Sequence, residues 1–560
     1  MLYITIESLV EHSLDLCQSV AGNRRIIAAC LHGPLISGYG EDNNHVNVLL
    51  VLRGFGSRPK TYQKSIDGRK AFFLIVDQDI FQKDVSTGRL GEITADKLLI
   101  PYEPLVNSDY LYYQEVALKK RIIWELLEAL VLEFPELAQE LIIKQEYFMY
   151  ETQMQRAKLF PPIAYSFLNI MRSDIKEKNV ELMIRGYRQA LEELSQEKWI
   201  NIPNGMIEVT PKLVKIIKSR KIRIPMMLRS VQRLTLRHIF STLPKMMTPL
   251  TIEQEIYTRT HLGYRDNVDP SLQLEDPRNH LLVSTPLGPV PLSDASTIED
   301  FIRTRVPSGV VRNVETRQIG GVLNSVYQLT LQRDNQEQRI VVKKFKDWTG
   351  VKWFPLALWS LGTKSFAVLG KSRLEREYAL NQYLKSQGLP VPTVLYISPK
   401  QSLIFTEFVE GKTLTETVKK IISAKYQEKE LELIRESGRK IAEVHRLNVS
   451  LGDCKPENII VTKEGKLCFV DLEQASRDGN QVWDIAEFLY YSGHYVPAFA
   501  PTQAIEFVTK AFLEGYMEAG GRIENVKEAA SPRYTKVFSI FTQPHVILAT
   551  SNLCRKMGQK

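Results

Sequence analysis

Along the first hundred residues the apolar positions change period repeatedly. In IESLVEHSLDLCQSV they recur at helical spacing, whereas IIAACLHG, HVNVLLVL and KAFFLIVD are short apolar runs that read as buried strands. Residues 1–105 are therefore expected to form a small α/β domain. From 106 to 245 a 3.6-residue period dominates, in YYQEVALKKRIIWELLEALVLEF and VELMIRGYRQALEELSQ. KWINIPNGMIEVTPKLVKIIKSRK then predicts strand, PNG turn, strand and helix, as a winged-helix domain ends. Residues 246–304, which include TPLGPVPLSDAS, are rich in Pro, Asp and Ser and read as a linker. A last domain, 305–560, opens on the hairpin VYQLTLQRDNQEQRIVVKKF, passes to the helix RLEREYALNQYLKSQ, and continues with helices around a second hairpin. The expected fold class is α+β and multidomain, with no internal repeat.

Composition changes this picture little. With 44% hydrophobic and 24% charged residues the chain reads as globular and water-soluble. The five cysteines are scattered, with no CxxC pair, which fits a reducing cytoplasm better than a disulfide framework or a zinc site. MLYITIESLVEHSLDLC carries acids where a signal peptide carries basic residues, and no apolar run reaches the roughly 18 residues of a membrane span. The expectation is a cytoplasmic protein without a membrane partner. Net charge is +9, which permits an anionic partner. Between Lys212 and Arg237 the chain holds nine Lys/Arg and no acid, interleaved with apolar residues. Such a face suits a nucleic-acid backbone. Its alternative is a solvated helix face that docks on an acidic patch of the last domain.

The densest chemistry lies in GDCKPENIIVTKEGKLCFVD, residues 452–471. A strand–turn–strand separates Asn458 from Asp471 and brings both to one end of a hairpin, where they suit one or two Mg²⁺ ions that bridge phosphate oxygens. Asp453 is placed to orient an incoming hydroxyl and accept its proton, and Lys455 to reach a transferred phosphoryl group. Upstream, IGGVLNSVYQLTL puts Gly320 and Gly321 in a loop whose backbone N–H groups can meet phosphates. RIVVKKF then offers Lys343 or Lys344 on a strand, and RLEREYAL offers Glu375 or Glu377 on a helix to hold that lysine.

The order glycine loop, Lys, Glu, Asp, Asn, Asp resembles the protein-kinase fold over roughly residues 305–500. GDCKPENII resembles the HRDLKPEN catalytic loop, and FVDLE stands where DFG belongs. EYALNQYLKSQGLPVP, EFVEGKTL and WDIAEFLYY resemble the compact RIO-type and KEOPS-associated kinases in particular. The resemblance implies a two-lobed domain with Asp453 as catalytic aspartate, Lys455 as phosphate-neutralising lysine, and Asn458 and Asp471 as metal ligands. It assigns Lys343 and Glu377 as the phosphate-gripping pair, Glu407, Phe408 and Val409 as the adenine-binding hinge, and Asp484 as a structural aspartate. ATP and Mg²⁺ or Mn²⁺ are the implied cofactors. The implied activity is that of an atypical serine/threonine protein kinase on an unknown protein substrate, regulated by the N-terminal domains. There are departures. Ile319 and Asn324 replace two glycines of the loop motif, Leu451 replaces a histidine, and Glu473 stands in place of the DFG glycine. His445 reads as a packing histidine, and the aromatic stretch 347–366 as an inserted helix. Two alternatives stand beside the protein kinase. VDLEQAS suits a small-molecule kinase of aminoglycoside or choline type, and the whole suits an ATP-binding, pseudokinase-like regulator linked to nucleic acid.

LHGPLISGYGEDNNHVNVLLVL, residues 31–52, resembles the hG[GS]…DhD signature of nucleotidyltransferases. Gly33-Pro34 stands for GS, but His45 and Asn47 stand where both carboxylates belong. The resemblance implies a degenerate nucleotidyltransferase-like fold used for binding or regulation. Asp77 and Asp79, in KAFFLIVDQD, are candidates for the third acid.

Overall fold

The computed structural model describes residues 6–40, 45–159, 162–219, 274–306, 311–320, 324–333, 336–347 and 367–557. Gly321, residues 220–237 of the basic run, 246–273 of the expected linker and 348–366 of the aromatic stretch lie outside the described residues. The chain divides into two compact units, Met1–Leu282 and Val283–Lys560.

In the first unit, helix α1 (Ile6–Ala21) buries Leu9, Ser13, Cys17 and Ala21. These are four residues apart, one stripe down a helix, and three of them are small enough to let the helix lie close to a sheet. The sheet comprises β1 (Ile26–His32), β2 (Val46–Leu52), β3 (Lys60–Ile66), β4 (Arg69–Asp77) and β5 (Tyr102–Val106), in the order β3-β4-β2-β1-β5. The β2–β4 pair is parallel, and both strands are almost wholly buried. That is why their apolar runs do not alternate. Two long helices, Ser108–Glu133 and Lys176–Gln196, follow. A buried ion pair, Lys119 Nζ to Glu115 at 2.6 Å, lies on the first of them, and the ammonium also donates to the carbonyl of Met183 on the second at 2.6 Å. The KWINIPNG segment forms a two-residue hairpin around Pro203–Gly205 and leads into the helix Pro211–Ser219.

The second unit starts inside the stretch expected to be a linker. That reading fails for its described part. Thr297 and Asp300 close a reciprocal cap on the helix Ile298–Arg305, and Phe301 stacks on Phe405 with ring centroids 4.2 Å apart. The polar residues that suggested a loop are caps, and Val290, Leu292 and Phe301 are buried. A five-stranded antiparallel sheet follows: β6 (Val311–Gly320), β7 (Asn324–Arg333), β8 (Gln336–Phe345), β9 (Val394–Ser398) and β10 (Leu403–Glu407), in the order β6-β7-β8-β10-β9. The helix Gly370–Ser386 packs on it. Beyond the sheet the chain is mainly helical, and the pair Glu428–Arg446 and Gln503–Glu518 forms the centre of that part.

Candidate active site

Alternation along β8 decides between the two lysines. Lys343 is buried and Lys344 exposed. On the helix Gly370–Ser386, Glu377 is buried, whereas Glu375 is 3.8 Å from Lys371. Lys343 Nζ meets Glu377 Oε2 at 2.8 Å and Asp471 Oδ1 at 2.5 Å. It also meets Glu473 Oε2 at 2.8 Å, the residue that stands in place of the DFG glycine. Burial works against the ammonium, but Asp471, Glu377 and Glu473 outweigh it and hold Lys343 well above the usual lysine range. The carboxylates feel the converse. Burial, opposed by Lys343 and assisted by the neighbouring acids, pushes Glu377 up to about 7. Asp471 is raised as well, by burial first. Three carboxylates against Lys343 and Arg373 leave one negative charge in surplus.

The second hairpin pairs Ile459 with Phe469, and Val470 N–H donates to the Asn458 carbonyl at 2.9 Å. Asn458 and Asp471 therefore flank the same hairpin end. Asp471 has φ 63°, a left-handed conformation that a non-glycine residue holds only when its surroundings fix it. Asp453, Asn458 and Asp471 line one small cavity. Asn458 Nδ2 donates to the Asp453 carbonyl at 2.9 Å, and Lys455 Nζ lies 2.7 Å from Asp453 Oδ1. Burial opposes the charge on Lys455, but Asp453 and Glu487 raise its pKa.

The loop is splinted from the helix Gln481–Gly493. Asp484, fully buried, accepts the N–H groups of Leu451 and Gly452 at 2.6 and 2.7 Å, and its neighbour His445 Nε2 lies 3.1 Å away. Glu487 accepts the Cys454 N–H at 2.7 Å and Trp483 Nε1 at 2.9 Å. His445, read from sequence as packing, is thus a partner of the residue that holds the backbone at Leu451 and Gly452. Its other nitrogen meets the Tyr516 hydroxyl at 2.8 Å.

The hinge candidates stand apart from this cluster. Glu407 Oε1 accepts the Thr393 N–H at 2.8 Å, and Phe408 N–H donates to the Arg339 carbonyl at 3.3 Å. Glu407 and Val409 line an open groove of about 370 Å³ with Pro390 and Leu467. Gly320 ends β6.

In the first unit, Asn47 pairs with His32 across β2 and β1, and the His45 ring meets Phe72 edge-on at 5.4 Å. Gly33, at φ 94°, is required here: a Cβ would sit 2.7 Å from Asn47 Nδ2. Both imidazoles are held below their usual pKa, by burial first, with Lys97 adding to the effect on His32. Asp77 does not join them. The parallel register sets it opposite Leu52, five residues beyond Asn47 and roughly 17 Å along the strand. There its carboxylate accepts the N–H groups of Phe55 and Asp79 at 2.9 and 3.0 Å. Asp77 is a cap for the helix Gln78–Thr87, and the third-acid expectation is corrected for it.

Residues 330–489 match the lipopolysaccharide kinase (Kdo/WaaP) family. The KEOPS complex subunit Bud32 of Pyrococcus abyssi is 30% identical over 156 residues, 27% of this chain and 66% of that protein. A probable serine/threonine-protein kinase BUD32 homolog of Archaeoglobus fulgidus is 27% identical over 157 residues, 28% of this chain and 72% of that protein. A probable bifunctional tRNA threonylcarbamoyladenosine biosynthesis protein of Methanobrevibacter smithii is 29% identical over 171 residues, 30% of this chain and 29% of that protein. The chain thus spans less than two thirds of the first and the third of these relatives. These similarities support an atypical kinase-like domain of α+β type that uses ATP. Among the described residues no helix is long and apolar enough to cross a membrane.

Proposed function

We propose that the second unit transfers the γ-phosphoryl group of ATP to a serine or threonine hydroxyl of a protein, its own chain included. The observation that carries this reading is the convergence of Lys343, Glu377 and Asp471, with Asp453, Asn458 and Asp471 on one cavity. Asp453 orients the acceptor hydroxyl and takes its proton as the new O–P bond forms and the bond to the β-phosphate bridging oxygen breaks. Lys455 offsets charge on the transferred group, and Lys343 grips the phosphates of the nucleotide. The residues fit a divalent ion: Asn458 and Asp471 line one cavity and offer an amide oxygen and a carboxylate, the hard donors Mg²⁺ takes. Asn458 and Asp471 would hold it, and it would neutralise charge on the phosphate oxygens. Asp484 lies thirteen residues after Asp471, too close for a long activation segment. Control therefore falls to the other domains or to a partner. One relative's name mentions tRNA threonylcarbamoyladenosine biosynthesis, which supports nucleic acid as that partner, through residues 212–237.

The match to lipopolysaccharide kinases favours a second reading, in which the acceptor hydroxyl belongs to a carbohydrate. One experiment separates the two. The protein is incubated with labelled ATP and Mg²⁺ or Mn²⁺, with and without RNA, and with protein or sugar acceptors. Label on protein supports the first reading and label on sugar the second; ATP binding without transfer leaves a pseudokinase-like regulator.

A further inference from the structure

Two of the three glycine positions at which this chain departs from the kinase pattern meet in space. Asn324, at the start of β7, donates from Nδ2 to Glu473 Oε2 at 2.7 Å, although 149 residues separate them in sequence. The same carboxylate reaches Lys343 at 2.8 Å, and its other oxygen lies 3.5 Å from Arg373 Nη1. Arg373 is fully buried one helical turn before Glu377, and it donates to the Asn324 side-chain oxygen and to the Lys346 carbonyl. Glu473 itself is 3% exposed. A carboxylate this buried is costly unless paired, so the charge at 473 and the amide at 324 make sense only together. The next residue is tied down too: Gln474 exchanges two hydrogen bonds with the Ala367 backbone, at 2.9 and 3.1 Å.

Resting on the functional reading above, we infer that Glu473 is a positioning residue: with Glu377 it anchors Lys343 toward the nucleotide phosphates, and its clasp with Asn324 and Arg373 fixes the Asp471 segment in one arrangement. The usual single carboxylate on the helix is thereby doubled. A kinase lysine with one such partner is released when the helix swings away; here a second partner, on the segment that carries the metal aspartate, still holds it. Either carboxylate supports Lys343 when the other is lost, and the site fails when both are lost.

The test uses the full chain as Glu473→Gln, Glu377→Gln, the double variant and Glu473→Asp, with thermal melting to confirm folding. The first readout needs no activity. A buried amine held on several sides by carboxylates is kept from a reagent and resists acylation. Mass spectrometry then measures how fast an acetylating reagent modifies Lys343. Losing one charge-assisted contact should raise labelling about tenfold in Glu473→Gln, and Glu473→Asp should restore it in part. The second readout separates KM for ATP from kcat. Each single variant should raise KM about tenfold with a smaller change in kcat, and the double about 10³-fold, more than the product of the two. Should Glu473→Gln not fold, Asn324→Gly, which removes only the amide of the clasp, takes its place with the same expectations in weaker form. Wild-type labelling of Lys343 in Glu473→Gln, or a double variant no worse than Glu377→Gln alone, overturns the inference. If the wild type neither binds ATP nor transfers phosphate, the functional reading falls, while the labelling still decides whether Glu473 anchors Lys343.

Discussion

Both units set buried polar residues near the end of a sheet, and they do so with opposite chemistry. In the first, His32, His45 and Asn47 are buried beside Phe72, and the imidazoles are kept neutral by their surroundings. In the second, Lys343 is gripped by three carboxylates, two of them buried. Burial acts on both in the same sense, against charge. The outcome differs because ionised groups survive burial only with partners, and at these two places only the second unit supplies them: an ammonium, a guanidinium and an amide clasp. A strand end is thus a neutral scaffold until the sequence provides compensating charge. The phosphate and metal chemistry proposed above falls at the end that has it.

The sharpest way to break the contrast is to empty the charged end. Asp453→Ala should still bind ATP yet lose transfer by roughly 10²-fold or more, since the proposed function turns it to the acceptor. Asp471→Ala should lose tight Mg·ATP binding. Lys343→Ala should weaken nucleotide binding and cripple transfer. Nucleotide titration beside ³²P transfer distinguishes these, and undiminished transfer in both aspartate variants would end the kinase assignment.

The converse is to charge the neutral end. His45→Asp with Asn47→Asp should cost the first unit about 3–5 kcal/mol, because unpaired carboxylates would enter a buried site. Chemical denaturation would measure that loss. The wild type should release no pyrophosphate from nucleoside triphosphates in a reaction that depends on the first unit. Metal-dependent release that survives Asp471→Ala would show that the neutral end catalyses after all.

Protonation should distinguish the two ends more gently. His32 and His45 have folded pKa values below the unfolded 6.5, so the unfolded chain binds more protons there. Their contribution therefore falls as pH drops below about 6.5, by at most ~1.4 kcal/mol per pH unit for each group. Glu377, raised from 4.5 to about 7, has the opposite sign: the native state keeps a proton the unfolded chain has lost, and stability falls as pH rises between those values. Melting curves from pH 5 to 8 should show the first slope vanish in His32→Gln/His45→Gln and the second in Glu377→Gln. The smallest effect concerns the partner. Lys218, Arg220 and Lys221→Glu should abolish nucleic-acid binding, itself steeply salt-dependent, without altering transfer in its absence. No binding to RNA or DNA by the wild type at low salt would favour the solvated-face reading.

Local sequence was enough for the elements and for several side chains. The unbroken apolar runs gave the β2 and β4 strands, the period of 3.6 gave the long helices, and the hairpin after Asn458 brought Asp471 back beside it, because a strand pair returns the chain to its starting edge. Polar composition misled at 274–304, since Thr297 and Asp300 look alike in a loop and in a capping box until the following Phe301 is seen to be buried. Asp77 misled because a parallel register, which no local pattern encodes, carries it to the far end of the sheet. The sequence by itself determined which residues are candidates for the chemistry and the order in which they come. Residue spacing left two lysines and two glutamates, and the resemblance chose Lys343 and Glu377; tertiary structure alone decided that Asn324, Arg373 and Glu473, from three distant segments, share one buried charge network. Periodicity and turn chemistry are local and can be read along the chain. The pairing of buried charges is a contact between segments, and only the packed fold sets it.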